Sequence, residues 1–376
     1  MVLNKRIKIL HIIESIARGG AEYNLLNVLK CIDKDIFYNK ILYLYKKDDL
    51  SEDFKNAGID VECIGMKDVY DFKKGLSSIM KNIRRHNYDM IHTQLFGSNI
   101  YGRTAAFFTH KPVITTLQNP DYTFEGNLFR KILDKITAFI ANTKFIAVSE
   151  FVKESFVNKL SLHPENIEII NNSLDLEKFR SVDEDVKGIK KNMLGLRQYI
   201  LTIGRLHPQK GHIYLIKAFK RLTEKINDID LVFIGEGLLK DSLISLVKEL
   251  GIENRVHFLG IIKDVLPYLK RASIFAFPSL YEGLPLALLE AMAAGVPCVA
   301  SDIAPIKEIK QNTTAIFLVK PGDISSLEKA LFNLLNNEGL RKEMTQAAFK
   351  IVSERFDARK NSAKLEAYFT RVVDKT

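Results

Sequence analysis

The feature that most constrains this chain is a rhythm: short apolar runs alternate with longer segments of helical period along almost its whole length. Runs that are apolar throughout, rather than alternating with polar residues, suit strands covered on both faces. Such strands belong to parallel sheets, whose crossovers are helices. In the first half the strand candidates are Ile7–Ile13, Lys40–Tyr45, Asp60–Ile64, Met90–Thr93, Val113–Leu117, Phe145–Val148 and Ile167–Ile170. Helical period marks Glu22–Cys31, Phe72–His86 and Asn99–Thr109 between them. That set completes one doubly wound domain.

A polar stretch of weak pattern, Asn171–Gly195, reads as the interdomain linker, and a second series of the same kind follows it. Its strands are Tyr199–Ile203, Asp230–Ile234, Val256–Phe258, Ile274–Phe277, Pro297–Ala300 and Ala315–Val319. Its helices are His212–Thr223, Leu238–Leu250, Leu286–Ala294 and Ile324–Asn336. At 376 residues the chain exceeds what one core usually organises, so two α/β domains are expected, 1–175 and 176–355. The last segment, Phe356–Val373, is again of helical period.

Composition excludes more than it selects. The net charge of +10 is spread over both halves rather than gathered in a tail, and no nucleic-acid-binding motif accompanies it, so no nucleic acid is expected as a partner. Cys31, Cys63 and Cys298 are odd in number and lack CxxC spacing, which suggests neither a disulfide framework nor a structural zinc site. The apolar start, Met1–Ile13, is too short to span a bilayer, and no later segment offers about eighteen apolar residues in a row. The expectation is a cytoplasmic protein with reduced thiols.

In open α/β sheets ligands sit beyond the carboxyl ends of the strands, so the loops there carry the functional information. After the first strand of the second domain comes Gly204-Arg205-Leu206-His207-Pro208-Gln209-Lys210-Gly211, then a helix. A guanidinium fork, a compact ammonium and a helix N-terminus together suit a diphosphate. A basic surface turn is the plainer alternative for that loop alone. Gly235-Glu236-Gly237 ends the next strand, where paired glycines permit close backbone approach. The most informative segment runs from Phe277 to Pro297: a buried strand, then Tyr281-Glu282-Gly283-Leu284-Pro285, then an apolar helix interrupted by Glu290. A carboxylate on such a helix is costly unless something satisfies it, either a local partner or the vicinal hydroxyls of a ribose.

These segments, in this order, resemble the retaining, GT-B-fold glycosyltransferases of family 4, and the likeness covers essentially the whole second domain. The resemblance implies two Rossmann-like α/β domains facing across a cleft, with a last helix, about 356–376, crossing back to the first domain. It puts Gly204, Arg205 and Lys210 on the diphosphate of a nucleotide sugar, UDP being the expected nucleotide. It puts Glu290 on the ribose, Glu282 with the Gly283–Leu284 backbone at the sugar and phosphates, and the base near His257–Ile261, with Gly235 and Gly260 in the adjoining turns. Arg205, Lys210 and Glu282 thereby become catalytic candidates. No cofactor and no metal are implied, because two fixed cations neutralise the leaving diphosphate. Asp33-Lys34-Asp35 and Asp183-Glu184-Asp185 spell DxD but fall in polar connections away from these loops.

The first domain carries Arg18-Gly19-Gly20-Ala21-Glu22 after its first strand, where the family has a glycine-rich loop, and Gly19 and Gly20 are assigned to ligand approach. After the fourth strand the family's H-x-H pattern reads His92-Thr93-Gln94 here. Gln94 cannot act as a base, although its amide can bind a sugar hydroxyl or a phosphate. His92 and Gln94 are both carried forward as catalytic candidates, His92 with the alternative of a strand-end histidine bonded to backbone. Gln118–Tyr122 is read as lining the acceptor side.

The activity implied is transfer of a hexosyl or N-acetylhexosaminyl group, with retention, to a saccharide or lipid-linked saccharide in cell-surface polysaccharide or glycolipid synthesis. The alternative that Gln94 raises is a silent nucleotide-sugar-binding homologue in an assembly complex. Leu128–Ile140 is an apolar stripe with basic neighbours. It is read as a helix turning that stripe to the core. Rest on an anionic membrane face, with peripheral contact there, is the other reading.

Overall fold

The computed structural model describes residues 6–68, 70–119, 128–180 and 198–375. Asp183–Asp185 and Pro120–Tyr122 lie outside the described residues. The chain divides into two compact units, one of Met1–Leu174 with Ala358–Thr376 and one of Asp175–Asp357. Each is built on an all-parallel sheet.

In the first unit the strands are β1 (Ile7–Ile13), β2 (Phe37–Tyr43), β3 (Asp60–Cys63), β4 (Met90–Gln94), β5 (Val113–Leu117), β6 (Lys144–Ala147) and β7 (Ile167–Ile169). Their spatial order is β3-β2-β1-β4-β5-β6-β7. One apolar layer packs Ile9, Ile13 and Ile41 against Leu25 and Leu29 of α1 (Gly20–Cys31), with Leu365 and Phe369 of the final helix α15 (Ala358–Val373). On the opposite face Leu10, Ile12 and Ile91 meet Ile79 and Ile83 of α3 (Phe72–His86) and Tyr101 and Ala105 of α4 (Phe96–Thr109). Strands covered on both sides explain why most of these sequences are apolar without strict alternation; the edge strand β3, Asp-Val-Glu-Cys, is the exception. α15 is pinned by polar bonds as well: Asn361 Nδ2 donates to Ser173 Oγ at 2.9 Å and the Tyr368 hydroxyl to the Phe145 carbonyl at 3.2 Å.

The second unit holds β8 (Tyr199–Ile203), β9 (Asp230–Ile234), β10 (Val256–Phe258), β11 (Ile274–Phe277), β12 (Cys298–Ser301) and β13 (Ile316–Val319), in the order β10-β9-β8-β11-β12-β13. In both sheets the strand order reverses direction beside the first strand, between β1 and β4 and between β8 and β11. Those two reversals are where loops to opposite faces part and leave a crevice. Four helices of this unit escape the sequence reading: α7 (Glu177–Arg180), α10 (Leu266–Arg271), α12 (Ala304–Lys310) and α14 (Glu338–Arg355). So do α2 (Ser51–Asn56) and α6 (Glu150–Leu160) in the first.

Helix α5 (Leu128–Ile140) overturns the core-facing reading of its apolar stripe. Its buried residues are Asp134, Thr137 and Ala138, whereas Leu128, Phe129 and Phe139 are 69%, 71% and 85% exposed. The cause is a buried ion pair. Arg103 of α4 is fully buried, and its Nη1 donates to Asp134 Oδ1 at 2.7 Å. A buried guanidinium without a counter-charge costs several kcal/mol, so Asp134 fixes the roll of the helix and the apolar face is left outward.

Candidate functional site

The crevice between β8 and β11 is laid out by loops that hold one another. The loop after β8 ends in a short 3-10 turn, Pro208–Lys210, and Gly211 then opens helix α8 (His212–Thr223). Gly211 has φ +63°, and a Cβ there would lie 2.2 Å from the Pro278 carbonyl oxygen, so only glycine lets α8 begin so close to the end of β11. Leu280 N donates to the Gln209 carbonyl at 2.7 Å, and the Gln209 side-chain amide donates to the Tyr281 carbonyl at 2.9 Å. Gln209, unmarked in the sequence, thereby laces the two loops together. Its amide is buried, and no pattern in the sequence distinguishes it from a solvated turn residue.

This lacing brings Lys210 and Glu282, 72 residues apart, to 2.5 Å between Nζ and Oε1. The ammonium also stands 5.1 Å from the centre of the Phe277 ring. Arg205, on the same loop, is exposed and makes no side-chain hydrogen bond or ion pair among the described residues. Its backbone is held instead: the Arg205 carbonyl lies 3.2 Å from His212 Nε2, a buried imidazole that burial pushes down to about 4. A neutral ring donating one N–H fits that distance.

The glycines are explained first by packing. A Cβ at Gly235 would fall 2.0 Å from the Gly204 carbonyl oxygen, and one at Gly237 2.5 Å from the Leu206 carbonyl oxygen. Gly235 N in turn donates to the Gly260 carbonyl at 2.8 Å, so the ends of β8, β9 and β10 form one tier of close backbone. Glu236 pairs with Lys240 at 2.8 Å. Gly283 and Leu284 are buried just before α11 (Leu286–Ala293), whose N-cap is Pro285.

Glu290, on the first turns of α11, is half-buried, and burial pushes its carboxyl up to about 7. Lys178 opposes that rise and Asp264 adds to it; the two pair with each other at 3.2 Å. Neither Lys178 nor Asp264 stands out in the sequence, because each sits in a polar connection where a charge is unremarkable.

At the β1–β4 crevice of the other unit the placement differs from expectation. His92 is buried within the sheet and bonded to side chains rather than to backbone: its Nδ1 is 2.8 Å from His11 Nδ1, and its Nε2 is 2.7 Å from Thr116 Oγ1. His11 Nε2 meets Asn39 Oδ1 at 2.8 Å. Burial holds His11 down to about 4 and His92 well below its ordinary range, so both rings are neutral at physiological pH. Gln94 ends β4, buried, and its Oε1 accepts from Gln118 Nε2 at 2.9 Å. Gly19 is the N-cap of α1 and Gly20 its first residue. The space a Gly19 Cβ would take is occupied by Glu22, whose Oε2 would lie 2.3 Å away. An acid on that helix end opposes a phosphate and favours hydroxyls. The same crevice holds Glu14, which accepts from Gly97 N at 2.7 Å, and Leu95 at φ +71°. Ser98 Oγ and Asn99 Oδ1 of the first turn of α4 are buried without a hydrogen-bond partner.

Asp33-Lys34-Asp35 is an exposed turn between α1 and β2 in which Asp33 accepts from Asp35 N. Among the described residues no group of three His, Cys, Asp or Glu side chains is arranged to hold a metal ion, and no helix is long and apolar enough to cross a membrane.

Two family models match this chain: "Glycosyltransferase Family 4" over residues 19–178 and "Glycosyl transferases group 1" over residues 188–351. The UDP-Gal:alpha-D-GlcNAc-diphosphoundecaprenol alpha-1,3-galactosyltransferase of Escherichia coli is 32% identical over 317 residues, 80% of each chain. An N-acetylgalactosamine-N,N'-diacetylbacillosaminyl-diphospho-undecaprenol 4-alpha-N-acetylgalactosaminyltransferase of Campylobacter jejuni is 28% identical over 288 residues, 75% of this chain and 73% of that one. Among solved structures, Anabaena Alr3699/HepE in complex with UDP-glucose superposes with a TM-score of 0.85 at 21% identity, covering 97% of this chain and 99% of that one.

Proposed function

The chain is a glycosyltransferase of family 4 with the GT-B fold, and from that premise we propose that it moves a hexose or N-acetylhexosamine from a UDP-sugar to a lipid-linked saccharide with retention at the anomeric carbon. The observation that carries the reading is the β8–β11 crevice, where an exposed Arg205 stands beside a Lys210–Glu282 pair and a helix N-terminus. An ammonium has three donors, and Glu282 takes one of them. Lys210 thus keeps donors for a phosphate oxygen while Glu282 holds it in place.

In this reading Arg205 forks onto the diphosphate, Lys210 neutralises the charge that develops on the leaving oxygen, and Glu290 accepts from the ribose hydroxyls. The bond from the anomeric carbon to the β-phosphate oxygen breaks, and the acceptor oxygen bonds that carbon from the same face. The acceptor proton passes to the departing phosphate oxygen. No side-chain base is required, which agrees with Gln94 at the position where the family has histidine. Gly204, Gly235 and Gly260 keep the tier beneath the nucleotide thin, and Gln94 with Glu14 binds sugar hydroxyls in the first unit.

Support for the acceptor comes from the named activities of the Escherichia coli and Campylobacter jejuni relatives, both of which act on diphosphoundecaprenol-linked sugars. Such an acceptor places the protein at the inner face of the cytoplasmic membrane as a peripheral enzyme of cell-surface polysaccharide synthesis. The test is incubation with UDP-galactose, UDP-glucose and their N-acetylated forms in the presence of undecaprenyl-diphosphate-linked saccharides. Mass spectrometry is expected to find one added sugar, NMR an α-linkage, and EDTA no change in rate. Robust transfer also disposes of a silent binding role; no transfer and no UDP binding would defeat the proposal.

A further inference from the structure

We infer that the outward face of α5 is a docking surface for an anionic phospholipid bilayer. Leu128, Phe129, Ile132, Ile136, Phe139 and Ile140 all point to solvent from one helix, and each is at least two-fifths exposed. A soluble protein rarely leaves a contiguous apolar stripe of that kind uncovered without a use for it. The stripe is not a by-product of loose packing, because α5 is held by the sealed Arg103–Asp134 pair on its other side. The helix is inverted: its one acid faces the protein, and its oils face out.

Charge identifies the occupant. α5 carries Arg130, Lys131 and Lys135 against a single acid, Asp134, and that acid is buried and paired. The exposed side of the helix therefore pairs an apolar band with cations and no carboxylate, the pattern of helices that lie in the headgroup region of anionic membranes. Neighbouring structure extends it. α4 and α5 run side by side in the same direction, with Arg130 over the Phe96 ring and Arg103 on Asp134. Phe107 and Phe108, at the C-terminal end of α4, are likewise exposed and are followed by Lys111. This inference deepens the lipid-linked-acceptor reading and names the surface by which the enzyme meets its acceptor's membrane.

The experiment is sedimentation with vesicles of phosphatidylglycerol and phosphatidylethanolamine, compared with vesicles of phosphatidylcholine alone. The parent protein is expected to sediment with the anionic vesicles and to release with salt. A Phe129→Ser/Ile136→Ser/Phe139→Ser variant should lose roughly a hundredfold in partition, since three large apolar side chains no longer enter the interface. Lys131→Glu/Lys135→Glu should lose at least about fivefold per charge, on the anionic vesicles only. Both sets replace exposed or half-exposed positions, and an unchanged melting temperature and unchanged UDP affinity confirm that each variant is folded. Parent that stays in the supernatant, a triple variant that sediments like the parent, or a parent dimer that the triple variant turns to monomer would each overturn the proposal, the last in favour of a second copy as occupant. Transfer to a short-chain, water-soluble acceptor separates the two readings. If the parent binds vesicles but transfers nothing, the docking surface stands and the acceptor reading falls. If the triple variant keeps soluble transfer but loses transfer to vesicle-borne acceptor, both stand.

Discussion

Two ion pairs, one in each unit, use the same chemistry to opposite ends. Arg103 and Asp134 are sealed, with side chains 0% and 3% exposed, and the guanidinium spends further donors on Thr115 and on the Asp134 carbonyl. Lys210 and Glu282 keep 16% and 9% of their side-chain surface and stand where β8 and β11 part. The first pair is shut away from solvent, with Arg103 Nη2 buried and without a hydrogen-bond partner, so its energy goes into the position of a helix. The second is left with open valences at a strand-order reversal, so its charge remains available to a ligand. An ion pair by itself therefore says little about function; what matters is whether the donors it has left are open to a ligand or shut in the protein interior.

The sharpest way to break this comparison is to remove one partner from each pair. Asp134→Ala leaves a guanidinium buried and unpaired, and is expected to cost about 3–5 kcal/mol in denaturant unfolding, the largest effect anticipated here. The double change Arg103→Met/Asp134→Leu should recover most of that loss, because a well-packed apolar pair avoids the desolvation cost. If the single variant unfolds like the parent, the pair is not sealed and the roll of α5 needs another cause. Lys210→Ala should act elsewhere: transfer falls by roughly a hundredfold to a thousandfold, as on loss of one charge-stabilising donor, while unfolding shifts far less than in Asp134→Ala. Next in size is Arg205→Ala. Its guanidinium touches nothing in the protein that is described, so stability should stay within about 0.5 kcal/mol. UDP affinity, read by calorimetry, should fall by about 1.5–3 kcal/mol, the worth of a charge-assisted bond.

The contrast also shows what could be read from residues alone. Tyr199–Ile203, Asp230–Ile234 and Ile274–Phe277 match their strands end to end, because an uninterrupted apolar run flanked by polar turns leaves little choice of boundary. β2 begins at Phe37 rather than Lys40, since Asn39 looks unlike a buried strand residue until its partner His11 is known. α14 was missed because its helix is polar on most of its surface and carries no clean stripe. For α5 the ends were legible and the orientation was not. The stripe was visible, but the ion pair that turns it outward joins residues 31 apart in sequence. The site divides in the same way. Residue type and spacing marked Arg205, Lys210, Glu282 and Glu290, whereas the contact between Lys210 and Glu282 and the lacing by Gln209 depend on how two distant loops meet. The surroundings of His92 are hidden for that reason: its partners His11 and Thr116 come from other strands, 81 and 24 residues away.

Glu290 offers the smallest and most specific test, because its carboxyl is poised near neutrality. Burial lifts the carboxyl from its ordinary 4.5 to about 7, with Lys178 pulling it down and Asp264 pushing it further up. A folded value above the unfolded one means the fold holds the proton more tightly. This group's contribution to stability is therefore fully present below about 4.5 and is lost as pH rises through the window to about 7. Ribose hydroxyls donate to a carboxylate and so favour the ionised form, which means that binding must expel the proton wherever it is still bound. UDP affinity is thus expected to rise between about pH 6 and pH 7, by up to about tenfold, and to level off above that range. Glu290→Gln should flatten the rise, and subtracting its profile removes the titration of the nucleotide's own phosphate. Calorimetry in buffers of different ionisation heat should register a released proton for the parent and none for the variant. Should the two profiles coincide, the ribose does not rest on Glu290. The nucleotide would then be held through the Arg205 and Lys210 loop alone.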